Sequence, residues 1–306
     1  MKTGILKRLI KVKSNPRLLF TYLIIHNSYL FPNDTNYLKL LHKLYTRRPL
    51  DLKSPKSFSE KLNWLKLYNR IPEYSIMVDK VKAKEWVSER IGTQYIIPTI
   101  GVWERPEDID FDSLPNRFVL KCNHNSGTGM FICRDKTHLD KKSVIRGLHK
   151  GLHENYYSYY REWPYKDVPR RVLAESFLED KSGIPYLVDY KFFCFNGEPF
   201  MMYISQDHSE HPTTDFFDMD FQRLPIRMKD PNSEGDVKKP AQFEEMKRLA
   251  TILCKGVPHL RVDFYIVNGK VYFGELTFFH NAGFSIIYPE EWDIRIADMI
   301  KLPDTI

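Results

Sequence analysis

The chain reads as an α+β protein, with amphipathic helices set irregularly among antiparallel hairpins. Three observations carry this. First, β-rich runs at 260–267 and 270–277 flank Asn268-Gly269, and runs at 187–195 and 199–205 flank Asn196-Gly197. Two such runs around Asn-Gly mark a hairpin. Second, helical periodicity recurs between strands, as in Phe243, Met246, Leu249, Ala250 and Leu253. Third, long apolar strands do not alternate with crossover helices, which argues against a doubly wound parallel sheet.

Taken in order, residues 1–50 are basic and helical in pattern, broken at Pro16 and Pro32, with Leu38, Leu40, Leu41 and Leu44 on one buried side. Ser57 stands three residues before Glu60, a capping box opening a helix through Tyr68 with Trp64, Leu65 and Leu67 as core. Asp79-Lys80 opens another helix, stopped near Ile91 by Gly92. Residues 117–122 form a strand with Lys121 inside an apolar run. The small-residue loop NHNSGTG at 123–129 follows, and a strand returns at 130–133. Such a loop exposes backbone N–H groups that suit phosphates, although it lacks the GxxxxGK[ST] pattern. Residues 138–160 read as one helix, capped by Asp135 or Thr137 and ending in Tyr156, Tyr157, Tyr159 and Tyr160. A strand at 171–179 runs into a linker at 180–183. A strand at 215–221, a polar loop at 229–240, a helix at 241–256 and a tail helix at 292–302 complete the chain.

The 306 residues carry a formal charge of +7 and ordinary apolar and charged fractions, so the chain is globular with room for a sizeable core. The positive balance favours polyanionic partners. Nucleic acid is not among those expected, because the basic residues are spread rather than striped and no reading motif is present. Four scattered cysteines without a CxxC predict reduced core thiols in a cytoplasmic protein. The apolar run at 18–25 is too short to span a bilayer, and no small-x-small cleavage site follows it. It comes after Lys2, Lys7, Arg8, Lys11, Lys13 and Arg17, so residues 1–30 read as a basic amphipathic segment resting on an anionic inner membrane face. A basic helix packed on its own domain is the competing reading.

The central hairpin holds three side chains foreign to an apolar ribbon: Arg261, Asp263 and Glu275. Strand alternation puts Arg261 and Asp263 on one face. A two-residue loop would pair Val267 with Lys270 and send Glu275 to the other face. A three-residue loop ending on Gly269 would pair Ile266 with Lys270 and set Glu275 opposite Arg261, diagonal to Asp263. The second geometry is expected here. Two carboxylates on one face repel unless a cation lies between them, and oxygen ligands favour Mg²⁺. The competing reading is a surface hairpin whose Arg261 neutralises both acids.

The order Lys80, Lys121 before a small-residue loop, Glu175 on ESFLE, Arg261-x-Asp263 and Gly274-Glu275-Leu276-Thr277 resembles the ATP-grasp superfamily. FSEKLNWLKLYNR, MVDK and GELTFFHNAGF are similar to its TupA-like branch, associated with cell-surface polysaccharide and teichuronopeptide synthesis. The resemblance spans roughly residues 55–290. It implies three units: a helical basic N-terminal extension at 1–78, and two α+β subdomains gripping a nucleotide, a small one with the Gly-rich loop at 79–174 and a large one with the metal site at 175–306. It also implies ATP and Mg²⁺ as cofactors. By position, Lys80 and Lys121 would contact ATP phosphates while Gly127, Thr128 and Gly129 close over them. Glu175 would accept from the adenine amino group, Phe177 and Leu178 would read the ring edge through their backbone, and Glu179 or Asp180 would meet the ribose. Asp263, Glu275 and Thr277 would hold the metal. Thr277 stands where the family's Glu-x-Asn motif has Asn, with Asn281 as a substitute. Arg261 and Lys191 would stabilise the transferring group.

The implied reaction is an ATP-dependent ligation. A carboxylate is activated as an acyl phosphate and joined to an amine or amino acid, with an acidic sugar or lipid-linked glycan as substrate. Two rivals are a nucleotide-sugar glycosyltransferase using Asp218-Met219-Asp220 as a D-x-D motif in capsule or O-antigen synthesis, and a non-catalytic nucleotide-binding protein.

Overall fold

The computed structural model describes residues 16–181, 183, 186–206 and 212–304. Of the expected basic segment 1–30, residues 1–15 lie outside them. The helices are α1 Pro16–His26, α2 Asp34–Thr46, α3 Phe58–Tyr68, α4 Glu73–Val78, α5 Lys82–Ile91, α6 Lys141–Leu152, α7 Tyr156–Tyr160, α8 Phe243–Leu253 and α9 Glu290–Asp298. The capping box is present: Ser57 accepts from the Glu60 backbone N–H, and the Glu60 carboxylate accepts from that of Ser57. The single helix expected over 138–160 is instead two. Asp140 caps α6 and Asn155 caps α7, because side chains that accept from the backbone two or three residues on start a new helix where they stand. Asp135 caps only the short turn Lys136–His138.

Two antiparallel sheets organise the molecule. The smaller has strands β1 Thr99–Trp103, β2 Phe118–Cys122, β3 Phe131–Cys133 and β4 Val172–Ser176, in spatial order β1-β4-β2-β3. Phe118, Leu120, Cys122, Val172 and Ala174 pack with Val144, Leu148 and Leu152 of α6. Alternation therefore turns Lys121 and Glu175 to the uncovered face. The larger sheet comprises β5 Asp189–Phe195, β6 Glu198–Gln206, β7 Thr213–Asp218, β8 Arg223–Leu224, β9 His259–Val267 and β10 Lys270–Thr277, in order β10-β9-β5-β6-β7-β8. Phe192, Met202, Val262 and Phe264 pack under α8 through Phe243, Met246 and Leu249. The opposite face carries the polar residues.

Residues 58–97 contribute Phe58, Leu62, Met77, Val87 and Ile91 to the large-sheet core, whereas Ile24, Ile25, Tyr37, Leu38 and Leu41 form a separate core to which Tyr159 and Tyr160 return. Core membership thus crosses the chain-order units 1–78, 79–174 and 175–306. Tyr157 donates to Asp34 and Tyr37 to the carbonyl of Tyr159, stitching α7 to the N-terminal helices. The four cysteines are free and buried. Among the described residues, no helix is long and apolar enough to cross a membrane.

Candidate functional site

The hairpin β9–β10 positions the central charges, though not by the expected turn. Val267 pairs with Lys270, so the loop is Asn268-Gly269, with positive φ at both residues (51° and 77°). That is the pairing of a two-residue type I′ turn. It would send Glu275 to the wrong face, but the register shifts between Phe273 and Glu275, leaving Gly274 as a bulge and Glu275 directly opposite Asp263. A Cβ on Gly274 would lie 3.1 Å from both the Asp263 carbonyl oxygen and the Tyr265 ring, so glycine fits this bulge and larger residues crowd it. Asp263 also pairs with Lys191, and Lys191 with Tyr203. One transverse row, Tyr203–Lys191–Asp263–Glu275, therefore runs across four strands.

Arg261, two residues from Asp263 on the same face, forks across the row. Its Nε and Nη2 donate to the two Asp263 oxygens, each at 2.7 Å, and Nη2 donates to Glu275 Oε1 at 2.9 Å. Lys191 Nζ lies 2.6 Å from Asp263 Oδ2 and 3.2 Å from Asp189. Burial pushes the Asp263 carboxyl up, but the Arg261 and Lys191 charges win and hold it below the usual range. Arg261 thus neutralises both acids, as the competing reading of the hairpin had it, but within a buried cluster rather than on the surface. Arg261 Nη1 donates to His280 Nδ1 at 2.8 Å.

Across from this row the small sheet presents its own charges. Glu175 is clamped by Lys121 (2.5 Å) and Lys84 (2.7 Å), whose cations outweigh burial and keep it ionised. Lys80 reaches the carbonyl of Asn125 in the small-residue loop. Burial lowers its pKa; Glu275 of the large sheet opposes that shift, Lys121 adds to it, and Glu175 opposes it. Lys80, in the turn between α4 and α5, is therefore within electrostatic reach of Lys121 and Glu175 on the small sheet and of Glu275 on the large one. Asp79 is not the ion-pair partner of Lys80: it holds Arg171 at 2.8 Å and the Asn123 side chain at 2.8 Å.

The other expected residues fall as follows. Gly127 has positive φ, and a Cβ there would meet nothing within 4 Å. Gly129 is a packing residue, since a Cβ would strike Cys122 Sγ at 2.6 Å and Gly151 Cα at 3.2 Å. Thr128 donates to Glu154 at 3.2 Å. The Phe177 ring has the guanidiniums of Arg117 and Arg134 over it, 5.0 and 5.1 Å from its centroid, with Leu178 half-buried beside it. Glu179 pairs with Arg117. Asp180 Oδ1 accepts from the Asn268 N–H at 2.7 Å, Asn268 Nδ2 donates to the Glu179 carbonyl, and the Lys181 N–H donates to Asn268 Oδ1. The hairpin tip is therefore docked on the segment joining the two sheets.

Asp218, by contrast, sits at the end of β7 and accepts from the N–H groups of Asp220 and Gln222, a turn-forming use of a D-x-D triplet.

Sequence reasoning missed Lys84, Lys66 and Glu162. Lys66 reads as a surface lysine of an amphipathic helix, yet it is wholly buried and donates to Asn63 and the Ala282 carbonyl. Burial drives Lys66 down and Glu162 up, each opposed by the other's charge, and Glu162 also feels Glu275 and Arg261.

The donor set for Mg²⁺ can be tested on this geometry. A carboxylate offers about four acceptor sites. Glu275 uses only Oε1, towards Arg261 and Thr277 (3.3 Å), leaving Oε2 available, and Asp263 retains less capacity. Mg²⁺ usually takes one or two carboxylates and fills its shell with water and phosphate oxygens, so Glu275 with Asp263 fits. Thr277 donates to Glu275 and orients it, and Asn281 donates to Ser285. Among the described residues, no cluster of three or more His, Cys, Asp or Glu suits a metal.

Two solved structures share a partial likeness. D-alanine–D-alanine ligase from Helicobacter pylori is 14% identical with a TM-score of 0.44, covering 81% of this chain and 70% of that one. The Bacillus anthracis enzyme, complexed with ATP, is 19% identical with a TM-score of 0.42, covering 74% and 63%. No curated protein matches by sequence. The sequence matches the TupA-like ATP-grasp description over residues 60–301, and on that match the chain belongs to the TupA-like ATP-grasp family.

Proposed function

We propose that the protein is an ATP-dependent ligase of cell-surface polysaccharide synthesis, activating a carboxylate as an acyl phosphate and joining it to an amine. The observation that carries this is that Lys80, in the turn between α4 and α5, lies within electrostatic reach of Lys121 on the small sheet and of Glu275 on the large one, where Glu275 stands beside Asp263 and Arg261. Phosphoryl transfer asks mainly for positioning and charge neutralisation, and these residues supply both. Lys80 and Lys121 would hold phosphate oxygens as point charges. Arg261, fixed by three carboxylate contacts and His280, would present its guanidinium to the transferring group without reorganising. Lys191 keeps Asp263 ionised beside it. Mg²⁺, when bound at Glu275 and Asp263, would neutralise phosphate charge.

The test is Mg-ATP binding by thermal shift together with ADP release, since a ligand of the folded state alone raises the melting point. Asp263→Asn is expected to abolish ADP release, whereas Asp218→Asn keeps most of it because asparagine can accept the same two backbone bonds. The reverse ranking would move the assignment to a glycosyltransferase. A shift without ADP release would mark a non-catalytic binder.

A membrane contact through residues 1–30 belongs to the same proposal. Helix α1 exposes Leu18, Leu19, Phe20, Tyr22 and Leu23, and Tyr29 and Leu30 follow it exposed. An apolar face beside basic residues suits an anionic bilayer surface. Co-flotation with phosphatidylglycerol vesicles at low salt is expected, and its absence would count against the contact.

A further inference from the structure

Helix α3 turns three polar side chains inward. Ser59, Asn63 and Lys66 share one helical face and are 2%, 0% and 0% exposed. They meet the turn His280–Gly283, which Phe278 and Phe279 join to the end of β10. Asn281, Ala282 and Gly283 lie there at φ 48°, 53° and 78°. Glycine enters this left-handed region freely, whereas a side chain crowds the following carbonyl oxygen. Two such residues in succession persist only where their surroundings over-determine them.

Helix α3 supplies that determination. Ser59 Oγ and Asn63 Nδ2 both donate to the Gly283 carbonyl, each at 2.7 Å. Lys66 Nζ donates to the Ala282 carbonyl at 2.8 Å and to Asn63 Oδ1 at 3.1 Å. The approach is close: a Cβ on Gly283 would come within 3.2 Å of Lys66 Nζ and 3.3 Å of Asn63 Nδ2. The Lys66 ammonium also sits over the Phe284 and Phe279 rings, at 4.8 and 5.5 Å. An unbranched apolar side chain would pack on these rings without desolvating a charge. What the ammonium adds is direction, by fixing where the Ala282 carbonyl points.

The turn begins at His280, whose ring packs edge-on against Phe193 at 5.0 Å and whose Nδ1 accepts from Arg261 Nη1 at 2.8 Å. A guanidinium only donates, so the Nδ1 lone pair is committed and the proton of the neutral ring sits on Nε2. Arg261 in turn forks over Asp263 and Glu275. One line of contacts thus runs from α3 through the turn and His280 to Arg261.

We infer that Ser59, Asn63 and Lys66 are positioning residues, which hold the left-handed turn so that His280 Nδ1 aims the Arg261 guanidinium. That this aim serves catalysis rests on the proposed ligase; that Lys66 sets the His280 ring does not.

The test uses the full-length protein with Lys66→Met and His280→Phe, singly and together. Two quantities are read: ADP release from Mg-ATP, and ¹⁵N NMR of the histidine ring nitrogens, with His280 assigned by its loss in His280→Phe. Wild-type His280 is expected to show a single Nε2–H tautomer. Lys66→Met is expected to move its nitrogens towards values averaged over two tautomers. In the same variant kcat should fall about tenfold or more while KM for ATP stays within about twofold, the mark of an interaction made in the transition state. Lys66→Met in the His280→Phe background should cost less than about threefold further, because residues acting as a unit are not additive. His280→Asn, which keeps an acceptor, should retain several-fold more activity than His280→Phe. The inference is overturned if the His280 signals stand unchanged in Lys66→Met, if KM rises while kcat holds, or if the two losses multiply. Should Lys66→Met fail to fold, Ser59→Ala removes only one of the two donors to the Gly283 carbonyl, and unmoved His280 signals there would overturn it equally. A wild type that releases no ADP, but whose His280 signals respond to Lys66→Met, would remove the ligase reading and leave the positioning of His280 standing.

Discussion

Glu175 shows how one side chain can be read correctly in place and incompletely in company. Its strand was legible, but its closeness to Lys121 was not, because that depends on the long-range pairing of β2 with β4. Nor was Lys84, since a lysine within KAKEWVSERI looks like the solvent side of an amphipathic helix. It instead bridges Glu175, the Ile97 carbonyl and Thr99. Removing one partner of a buried pair leaves charge uncompensated, but Lys121 remains, so Lys84→Met is expected to cost about 1–3 kcal/mol. Chemical denaturation checks this. In a double-mutant cycle with Glu175→Gln, the two losses should be non-additive by about 1 kcal/mol or more; additivity would mean that the contact contributes nothing.

Among the elements, hairpin β9–β10 carries the clearest lesson. That Glu275 shares a face with Asp263 was anticipated, but from a three-residue loop that does not exist and with Glu275 opposite Arg261, whereas it stands opposite Asp263. Asn268-Gly269 forms the two-residue turn, and the extra residue sits five positions later, at Gly274. The signal was present in the sequence, because a lone glycine inside a strand marks a bulge or a close backbone approach. The Tyr-rich stretch failed differently: Asn155 restarts the helix, a local capping effect that periodicity does not register. Gly274→Val must push a branched side chain against the Asp263 carbonyl and the Tyr265 ring. We expect a loss of about 1–3 kcal/mol together with a reduced Mg-ATP shift. A variant as stable as the parent would show that the bulge tolerates a side chain.

At the scale of the whole molecule, three cores and two polar sheet faces were only partly foreseeable. Sequence order could not reveal that 58–97 pack with the large sheet or that α7 returns to the N-terminal helices, because these are long-range contacts. Buried histidines add a global property. Burial lowers the His259 pKa from 6.5 to about 3, outweighing its contact with the Cys194 carbonyl. Below its unfolded value the unfolded chain takes up a proton that the folded chain refuses, so stability falls as pH drops from about 6.5 towards 3, by at most about 1.4 kcal/mol per pH unit. Asp263 and Glu175, held low by their cations, add losses only in a more acidic window. Replacing His259 with Phe should therefore flatten the fall in melting temperature between pH 6 and pH 4, and an unchanged slope would assign it elsewhere.

The clasp of Asn268 on residues 179–181 has a mechanical consequence. The strap that would act as hinge for the small sheet is tied to the end of the ribbon bearing Asp263 and Glu275. Any separation of the two sheets would therefore either break these three hydrogen bonds or carry Asp263 and Glu275 along with the strap.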